Sequence, residues 1–337
     1  MSAAGGRGPR IGIAGATGAV GGQIAELLSE RALPLSELKL FASEHGASET
    51  VVVGGKEYPV NALTQMTDLA DLDLLFLAAP PSVNADVIRA RPGPILIDLS
   101  ANFGANLTAN PGANPAISPP SLVAPGFTAR EQIQELGKNR TVFSIPHPCA
   151  YALGAILTAI GAVPEFAGAT LMLGASAGGK HEISELMRQS ADLLNARLDV
   201  DEEERQRAFN VFPSDDGSEF ANLISAQAGL LLGATLRLTI QVIRVPVFHG
   251  IALALHIPAA TGTDEWPARL RAAPGLLIAD EEQGAGMIDT IGEEAITVDF
   301  RRQADGVTLW CLFDNSRLAA LIAIWVAESL SPSAELS

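Results

Sequence analysis

A glycine-rich turn near the start of the chain limits the possible folds more than any other feature. Residues 11–14 form a short apolar run, and three glycines follow at regular spacing, Gly15, Gly18 and Gly21. A helical pattern of apolar residues begins directly after them. Glycines permit a tight turn, and the N–H groups that begin a helix bind a pyrophosphate. The spacing predicts a strand, a turn and a helix that hold a dinucleotide, while a turn built only for packing is the alternative.

The segments that follow alternate strand and helix patterns. Apolar runs bounded by turn residues, which are typical of buried parallel strands, occur at 38–42, 72–79, 94–100 and 141–145. Residues 50–60 predict a hairpin with a turn at Gly54-Gly55. Residues 104–127 are rich in Asn, Pro and Gly and predict an irregular loop. We therefore predict an α/β fold with a Rossmann-type doubly wound parallel sheet in a dinucleotide-binding domain over residues 10–149.

The pattern changes after this first domain. Longer strands are predicted at 169–176, 235–246, 250–258, 295–300 and 307–313, with an amphipathic helix over 180–196. These elements predict a mainly antiparallel α+β substrate and dimerisation domain over 150–314, and a helix over 315–330 that returns to the first domain. The strand that ends at Pro246 is patterned on both faces. A symmetric dimer would bury its second face, and cover by the domain's own helices is the alternative.

Composition excludes several classes of function. The formal net charge of −16 argues against binding to nucleic acid or to an anionic membrane surface. There is no apolar run of about 18 residues to span a bilayer, and residues 1–9 lack the apolar segment of a secretion signal. The two cysteines, Cys149 and Cys311, fit neither a disulfide framework nor a zinc site. We expect a cytoplasmic protein that acts on a small molecule without a metal.

Cys149 is the candidate nucleophile. It follows His147, which lies between two prolines, at the point where a predicted strand leads into a helix. The positive end of the helix dipole would stabilise a thiolate there. A buried structural cysteine is the alternative, and Cys311, inside an apolar strand, is expected to be a core residue.

Motifs in order along nearly the whole chain resemble the aspartate-semialdehyde dehydrogenase family. They are the glycine turn at 15–21, Leu96-Ile97-Asp98-Leu99-Ser100, the Cys149 junction, Ser176-Ala177-Gly178-Gly179-Lys180, Arg244-Val245-Pro246-Val247-Phe248 and Phe313-Asp314-Asn315. The resemblance implies the two-domain layout, a homodimer and an oxidoreductase of amino-acid biosynthesis. In that reaction a thiolate attacks an aldehyde, hydride passes to NADP, and the acyl group is released to phosphate; in the biosynthetic direction aspartyl phosphate is reduced.

The resemblance also implies roles for individual residues. Cys149 matches the nucleophile, and Arg244 matches the arginine that binds the substrate carboxylate, for which a planar guanidinium is well suited. Cofactor contacts are implied for Gly15, Thr17, Gly18, Ala19, Val20, Ser43 and Asn315.

Several expected residues are replaced. The family's catalytic base lies seven residues beyond the arginine, where this chain has Ile251. His249, two residues earlier and on the same predicted strand face, is the candidate substitute base, while an ordinary core or surface histidine is the alternative. The phosphate-binding arginine is replaced by Gly104, and a glutamine after the nucleophile is replaced by Leu153.

The cofactor is predicted to be NADP or NAD. Ser43 remains from the family's motif for the 2′-phosphate of NADP, but the arginine of that motif is absent. Glu44 favours NAD if it bonds the ribose 2′-hydroxyl, and a solvated loop charge is the alternative.

Three hypotheses about function follow. The first is a phosphorylating semialdehyde dehydrogenase with a remodelled pocket. The second is a non-catalytic paralogue that keeps the fold and binds a nucleotide or partner, because residues 189–197 and 208–210 resemble the Usg-type relatives, whose catalytic sets are incomplete. The third is a dehydrogenase that uses Cys149 without phosphate and releases a free acid. We predict an enzyme, although loss of a catalytic base commonly lowers the rate by ~10²–10⁴-fold.

Overall fold

The chain forms two compact units in the computed structural model. The structure describes residues 8–330 except 32, 34, 45, 48, 91–92, 101–120, 140, 162–163, 198–204, 235, 259–262 and 281–282. Within these residues the first unit comprises 8–147 and 319–330, and the second comprises 148–318. The boundary falls just before Pro148, so Cys149 belongs to the second unit.

The first unit is built on an eight-stranded sheet. Its strands are β1 (Arg10–Ala14), β2 (Glu37–Ala42), β3 (Thr50–Val53), β4 (Lys56–Ala62), β5 (Leu74–Leu77), β6 (Ile95–Asp98), β7 (Ser121–Leu122) and β8 (Val142–Ser144). The spatial order is β3-β4-β2-β1-β5-β6-β8-β7, and every neighbouring pair is parallel except the hairpin β3–β4. Its helices are α1 (Ala19–Glu30), α2 (Pro81–Ala90) and α3 (Arg130–Gly137), with a 3₁₀ turn at Met66–Leu69.

This architecture confirms the predicted α/β fold. All four residues of β5 are buried, as expected for a parallel strand that is covered on both faces. The predicted hairpin turns at Gly54-Gly55, as expected. The predicted loop over 104–127 is wrong at Ser121–Leu122, which pair with β8 as β7, whereas residues 104–120 lie outside the described chain.

The second unit contains a seven-stranded mixed sheet. Its strands are β9 (Ala167–Leu173), β10 (Phe212–Pro213), β11 (Leu238–Arg244), β12 (Ile251–Pro258), β13 (Leu276–Ile278), β14 (Ile296–Gln303) and β15 (Gly306–Phe313). The order is β10-β11-β9-β12-β15-β14-β13, and the pairs β11–β9 and β13–β14 are parallel while the others are antiparallel. The sheet is therefore mainly antiparallel, as predicted.

The helices from residue 148 onwards belong to the second unit, except for residues 319–330 of the last one, which belong to the first. They are α4 (Pro148–Ile160), α5 (Lys180–Leu194), α6 (Gly217–Leu232), α7 (Trp266–Ala272) and α8 (Asn315–Leu330), with 3₁₀ turns at Ala175–Gly178, Thr263–Glu265 and Met287–Thr290. Helix α6 packs against α4 and β11. Alternate residues of β11, Thr239 and Gln241, remain exposed on its other face. Among the described helices, none combines the length and the apolar character needed to cross a bilayer.

Candidate active site

The glycine turn between β1 and α1 packs backbone directly against backbone. Gly15 has a φ of +86°, and a Cβ built on it would lie 2.5 Å from the carbonyl oxygen of Ala78. A Cβ on Gly21 would lie 2.2 Å from the carbonyl oxygen of Gly15. Gly18 is the N-cap of α1 and makes no side-chain capping bond. The start of α1 therefore offers backbone N–H groups to an anion, and this arrangement fits a dinucleotide pyrophosphate.

The loop after β2 lies beside this turn. The backbone N–H of Gly46 donates to the carbonyl of Ser43 at 2.9 Å. A Cβ on Gly46 would lie 3.2 Å from Oγ1 of Thr17, so the Thr17 side chain faces this loop. Ser43 and Glu44 are both exposed. Thr17, Ser43 and Glu44 thus lie where the adenosine ribose of a dinucleotide is expected in this type of sheet.

A buried polar cluster ties together the carboxyl ends of β5 and β6. Asn84 on α2 donates from Nδ2 to the carbonyl of Leu77 at 2.9 Å and to Asp98 Oδ1 at 3.2 Å. The Asp98 carboxylate also accepts from the backbone N–H and the hydroxyl of Ser100, both at 3.0 Å. Burial raises the pKa of Asp98, and these hydrogen bonds partly oppose that shift. The cluster fixes the carboxyl edge of the sheet, where ligands of doubly wound folds bind.

Cys149 lies in the first turn of α4, as the sequence predicts, but burial dominates the chemistry of its thiol. The residue has no exposed surface. Burial raises the pKa of the Cys149 thiol, and a hydrogen bond with its own backbone N–H opposes this only in part. The direction of this shift runs against the thiolate expected at the helix start, since burial disfavours charge on the sulfur. Cys311 on β15 is equally buried, and burial also raises its pKa.

The buried imidazole of His147, just before α4, leads us to predict that the stability of the chain depends on pH. Burial lowers its pKa to about 4, below the value of ~6.5 for an unfolded chain. The stability linked to the neutral imidazole is present above pH ~6.5 and is lost as the pH falls towards 4. We expect the free energy of unfolding, measured in urea, to fall between pH 7 and pH 4 by about 1–3 kcal/mol more for the native chain than for His147→Gln.

The control for this prediction is His256→Gln, which changes an exposed histidine on β12. This variant should follow the native chain across the same pH range. Equal pH profiles for His147→Gln and the native chain would contradict a neutral buried His147.

Arg244, the last residue of β11, is held by a carboxylate of its own chain. Its Nη1 donates to Glu182 Oε2 at 3.0 Å, and its Nε donates to the Ser214 hydroxyl at 3.1 Å. Arg207 Nη1 lies 3.3 Å from the same Glu182 oxygen. Asp216 Oδ1 lies 3.9 Å from Arg244 Nη2. The arginine predicted to bind a substrate carboxylate is therefore already ion-paired.

Sequence reasoning used only the apolar residues of the helix at 180–196 and missed Glu182 and Arg207. One signal was present. Glu182 is the acidic residue in the first turn of α5, directly after the motif at 176–180. An acid at that point of a helix is favoured by the helix dipole, but its arginine partners are distant in sequence.

His249 does not share a strand face with Ile251, and this expectation is wrong. Strand β12 begins at Ile251, and Gly250 before it has a φ of +90°, which interrupts the extended backbone. The segment that carries His249 is instead fixed to the chain after β9, because the N–H of Ser176 donates to the carbonyl of Phe248 at 2.9 Å. Ile251 itself is fully buried in the sheet.

Ser176 joins this segment to Asn315. Its hydroxyl donates to Asn315 Oδ1 at 2.7 Å and accepts the N–H of Gly250 at 3.2 Å. Asn315 begins α8, and the carboxylate of Asp314 before it accepts the N–H groups of Ser316 and Arg317, both at 3.0 Å. The structure thus holds the backbone next to His249 and the amide of Asn315 around one buried hydroxyl.

Comparison with known proteins identifies the family. Residues 10–118 match the model described as "Semialdehyde dehydrogenase, NAD binding domain". Residues 153–318 match "Semialdehyde dehydrogenase, dimerisation domain". The chain belongs to the semialdehyde dehydrogenase family. The first unit of this family member therefore carries an NAD(P)-binding domain, and the second carries the family's dimerisation domain.

Similar proteins within the semialdehyde dehydrogenase family carry two kinds of name. A "USG-1 protein homolog" of Azotobacter vinelandii is 30% identical, over 95% of this chain and 97% of the relative. An "Aspartate-semialdehyde dehydrogenase" of Synechocystis is 26% identical, over 95% of this chain and 97% of that protein. The crystal structure of aspartate semialdehyde dehydrogenase II from Vibrio cholerae, complexed with ASA, has a TM-score of 0.81 and 27% identity, and the match covers 96% of this chain and 98% of that one.

The predicted site residues of this member of the semialdehyde dehydrogenase family lie in four places. Gly15, Thr17, Gly18, Ala19, Val20 and Ser43 cluster around the start of α1 and the loop after β2. In the second unit, His249 and Asn315 lie on segments joined through Ser176. Arg244 lies in a cluster with Glu182, and Cys149 is the second residue of α4. Their roles in binding and catalysis stay predictions.

Proposed function

We propose that this chain is an NAD(P)-linked aldehyde oxidoreductase of amino-acid biosynthesis that acts through Cys149. The observation that carries the proposal is the position of Cys149. It is a cysteine in the first turn of a helix, which begins directly after the dinucleotide-binding unit of a semialdehyde dehydrogenase. Nucleophilic cysteines of dehydrogenases occupy such places, where a helix N-terminus favours negative charge on sulfur.

The proposed reaction divides into two stages. In the first, the sulfur of Cys149 loses its proton to a base and adds to the aldehyde carbon. Hydride then leaves this adduct and a thioester remains; the nicotinamide cofactor, when bound, accepts that hydride. In the second stage, phosphate attacks the thioester carbon, the C–S bond breaks, and an acyl phosphate leaves with the thiolate restored. The reverse reaction reduces an acyl phosphate to the aldehyde.

His249 is the proposed base of the first stage. The raised pKa of the buried Cys149 thiol makes such a base necessary, because the thiol does not ionise on its own near neutral pH. The backbone around His249 is fixed by hydrogen bonds to the segment 174–176. Ile251, at the place where the resemblance implies the base, has no group that accepts a proton.

The residues around the start of α1 would hold the cofactor. The first-turn N–H groups of α1, which begins at Ala19 and Val20, would bind the pyrophosphate. Ser43 would bond the 2′-phosphate of NADP, or Glu44 the 2′-hydroxyl of NAD, since both are exposed in the turn after β2.

A cytoplasmic homodimer is the proposed form of the protein. The second unit matches the family's dimerisation domain, and one face of β11 is exposed at Thr239 and Gln241. A second copy would cover that face, which α6 leaves open. Light scattering on the purified chain measures the oligomeric state directly.

The test is an assay of the purified chain with each cofactor. We expect reduced nicotinamide to form from NADP or NAD in the presence of an aldehyde, and to form faster when phosphate is added. Aspartate semialdehyde and butanal provide an acidic and an uncharged substrate. If the rate of turnover does not depend on phosphate, the product is a free acid and not an acyl phosphate.

A non-catalytic paralogue is the second candidate. The observations that favour it are the buried Ile251 in place of the implied base and the ion pair that occupies Arg244. If the folded chain binds NADP or NAD but oxidises no aldehyde under any condition, this candidate replaces the enzyme.

A further inference from the structure

The cluster around Arg244 forms one wall of a small pocket whose other walls are apolar. The apolar lining consists of Leu173, Ala175, Leu186, Phe212 and Val245. Its charged lining consists of Arg207, Arg244 and Glu182. Arg244 and Glu182 are each 16% exposed at the side chain, so their interaction is largely shielded from water.

Glu182 is shared between the two arginines. One carboxylate oxygen, Oε2, accepts from Arg244 Nη1 at 3.0 Å and lies 3.3 Å from Arg207 Nη1. Asp216 adds a second negative charge 3.9 Å from Arg244 and accepts the hydroxyl of Ser214 at 2.5 Å. Ser214 in turn accepts the Nε of Arg244. The two positive charges of the cluster are therefore balanced by two negative charges.

The backbone before α5 makes room for the Glu182 carboxyl group. A Cβ built on Gly178 would lie 1.9 Å from Cδ of Glu182 and 2.3 Å from its Oε2. Any other residue at 178 would push the carboxyl group out of this place. The close approach of Gly178 thus holds Glu182 against Arg244.

We propose that Glu182 is a specificity residue that excludes a ligand carboxylate from Arg244. An anionic group entering the pocket would have to displace a shielded ion pair and leave the Glu182 charge without its partner, which is strongly unfavourable. This inference rests on the proposed aldehyde oxidation, and it assigns the substrate class as an aldehyde whose far end carries no carboxylate.

Direct binding tests the inference without any need for turnover. Succinate is titrated calorimetrically into the native full chain, Glu182→Gln, Gly178→Ala and the control Glu185→Gln. Glu182→Gln removes the competing charge, and Gly178→Ala displaces it without removing it. We expect both variants to bind succinate at least about tenfold more tightly than the native chain, because Arg244 becomes available for a bidentate contact.

Glu185→Gln is the matched control. Glu185 lies on the same helix with the same side-chain exposure of 16%, but it pairs with Arg188 rather than with Arg244. It should bind succinate as weakly as the native chain. Native binding as tight as that of Glu182→Gln would overturn the inference. Circular dichroism checks that both variants are folded. If neither folded variant gains affinity for succinate, the inference is also overturned.

Substrate preference provides the second readout. The ratio of kcat/KM for butanal to kcat/KM for succinic semialdehyde, an acidic aldehyde of equal length, should fall at least about tenfold in Glu182→Gln. If the variants gain succinate binding but no form of the protein oxidises an aldehyde, the role of Glu182 stands and the dehydrogenase proposal fails. If aldehydes are oxidised and this ratio does not change, the role of Glu182 fails alone.

Discussion

Cys149→Ala is expected to lower NAD(P)-linked aldehyde oxidation by at least about 10³-fold, because alanine has no group that can form the thioester. The loss should appear in kcat/KM, measured from the initial rate of reduced nicotinamide formation. Cofactor affinity should change little, since the glycine turn belongs to the first unit and Cys149 to the second. Calorimetric binding of NADP and NAD to the same variant checks this separation.

Cys311→Ala is the matched control. Both cysteines are fully buried, and burial raises the pKa of both thiols, so general thiol properties do not distinguish them. Cys311 lies inside β15, and its loss should cost only about 1 kcal/mol of stability through a small cavity while the reaction rate stays near that of the native chain. Full activity in folded Cys149→Ala, or equal loss in both variants, would contradict the proposed role of Cys149.

Thiol labelling separates the two residues in another way. Because both thiols are held neutral and buried, labelling of the resting protein should be slow at both. If Cys149 is the nucleophile, an aldehyde substrate with NAD or NADP should protect it and leave Cys311 unaffected. Equal labelling of Cys149 and Cys311 under every condition would favour a structural Cys149.

Local patterns predicted the longer strands and several helices of the fold, but not the helix α6 or the short strand β7. All four residues of β5 are buried, and a continuous apolar run bounded by turn residues indicates such burial directly. The pair Gly54-Gly55 marks the hairpin because the turn needs backbone conformations that glycine supplies. The transition from a strand into a helix at Cys149 was also predicted, and Pro148, the first residue of that helix, is compatible with its first turn.

The electrostatics of the site could not be predicted in this way. The partner of Arg244, Glu182, lies 62 residues away in sequence, and only the folded chain brings them to 3.0 Å. The same limit applies to Cys149, because the burial that raises the pKa of its thiol cannot be read from its position in the sequence. His249 was misplaced because alternation of residues predicts a shared face only along an unbroken strand, and Gly250 breaks it.

The surroundings of Cys149 and Arg244 matter for function because they affect the charge that each side chain presents to a substrate. The turn around Gly15 supplies backbone N–H groups, whose fit to a pyrophosphate depends on local geometry and is readable from glycine spacing. The thiol of Cys149 and the guanidinium of Arg244 depend on what surrounds them. A family member can therefore retain both side chains and still differ in which substrate it accepts.

Gly21→Ala is expected to abolish or severely weaken cofactor binding. The new Cβ would lie 2.2 Å from the carbonyl oxygen of Gly15 and 2.9 Å from Cα of Ala16, and neither backbone atom can move without distorting the turn. We expect the dissociation constants for NADP and NAD to rise at least about tenfold, and the free energy of unfolding to fall by about 1–3 kcal/mol. Calorimetry and urea unfolding measure the two effects.

Gly22→Ala, at the next residue of α1, is the control that separates crowding from a general effect of alanine. A Cβ at Gly22 meets no atom within 4 Å, so the substitution should leave cofactor binding unchanged. It should also raise the free energy of unfolding by about 0.5–1 kcal/mol, because alanine is the better helix former. If close packing of the turn determines cofactor binding, Gly21→Ala should weaken binding and Gly22→Ala should not. Native cofactor affinity in a folded Gly21→Ala chain would show that the turn tolerates the shift and that its shape does not determine dinucleotide binding.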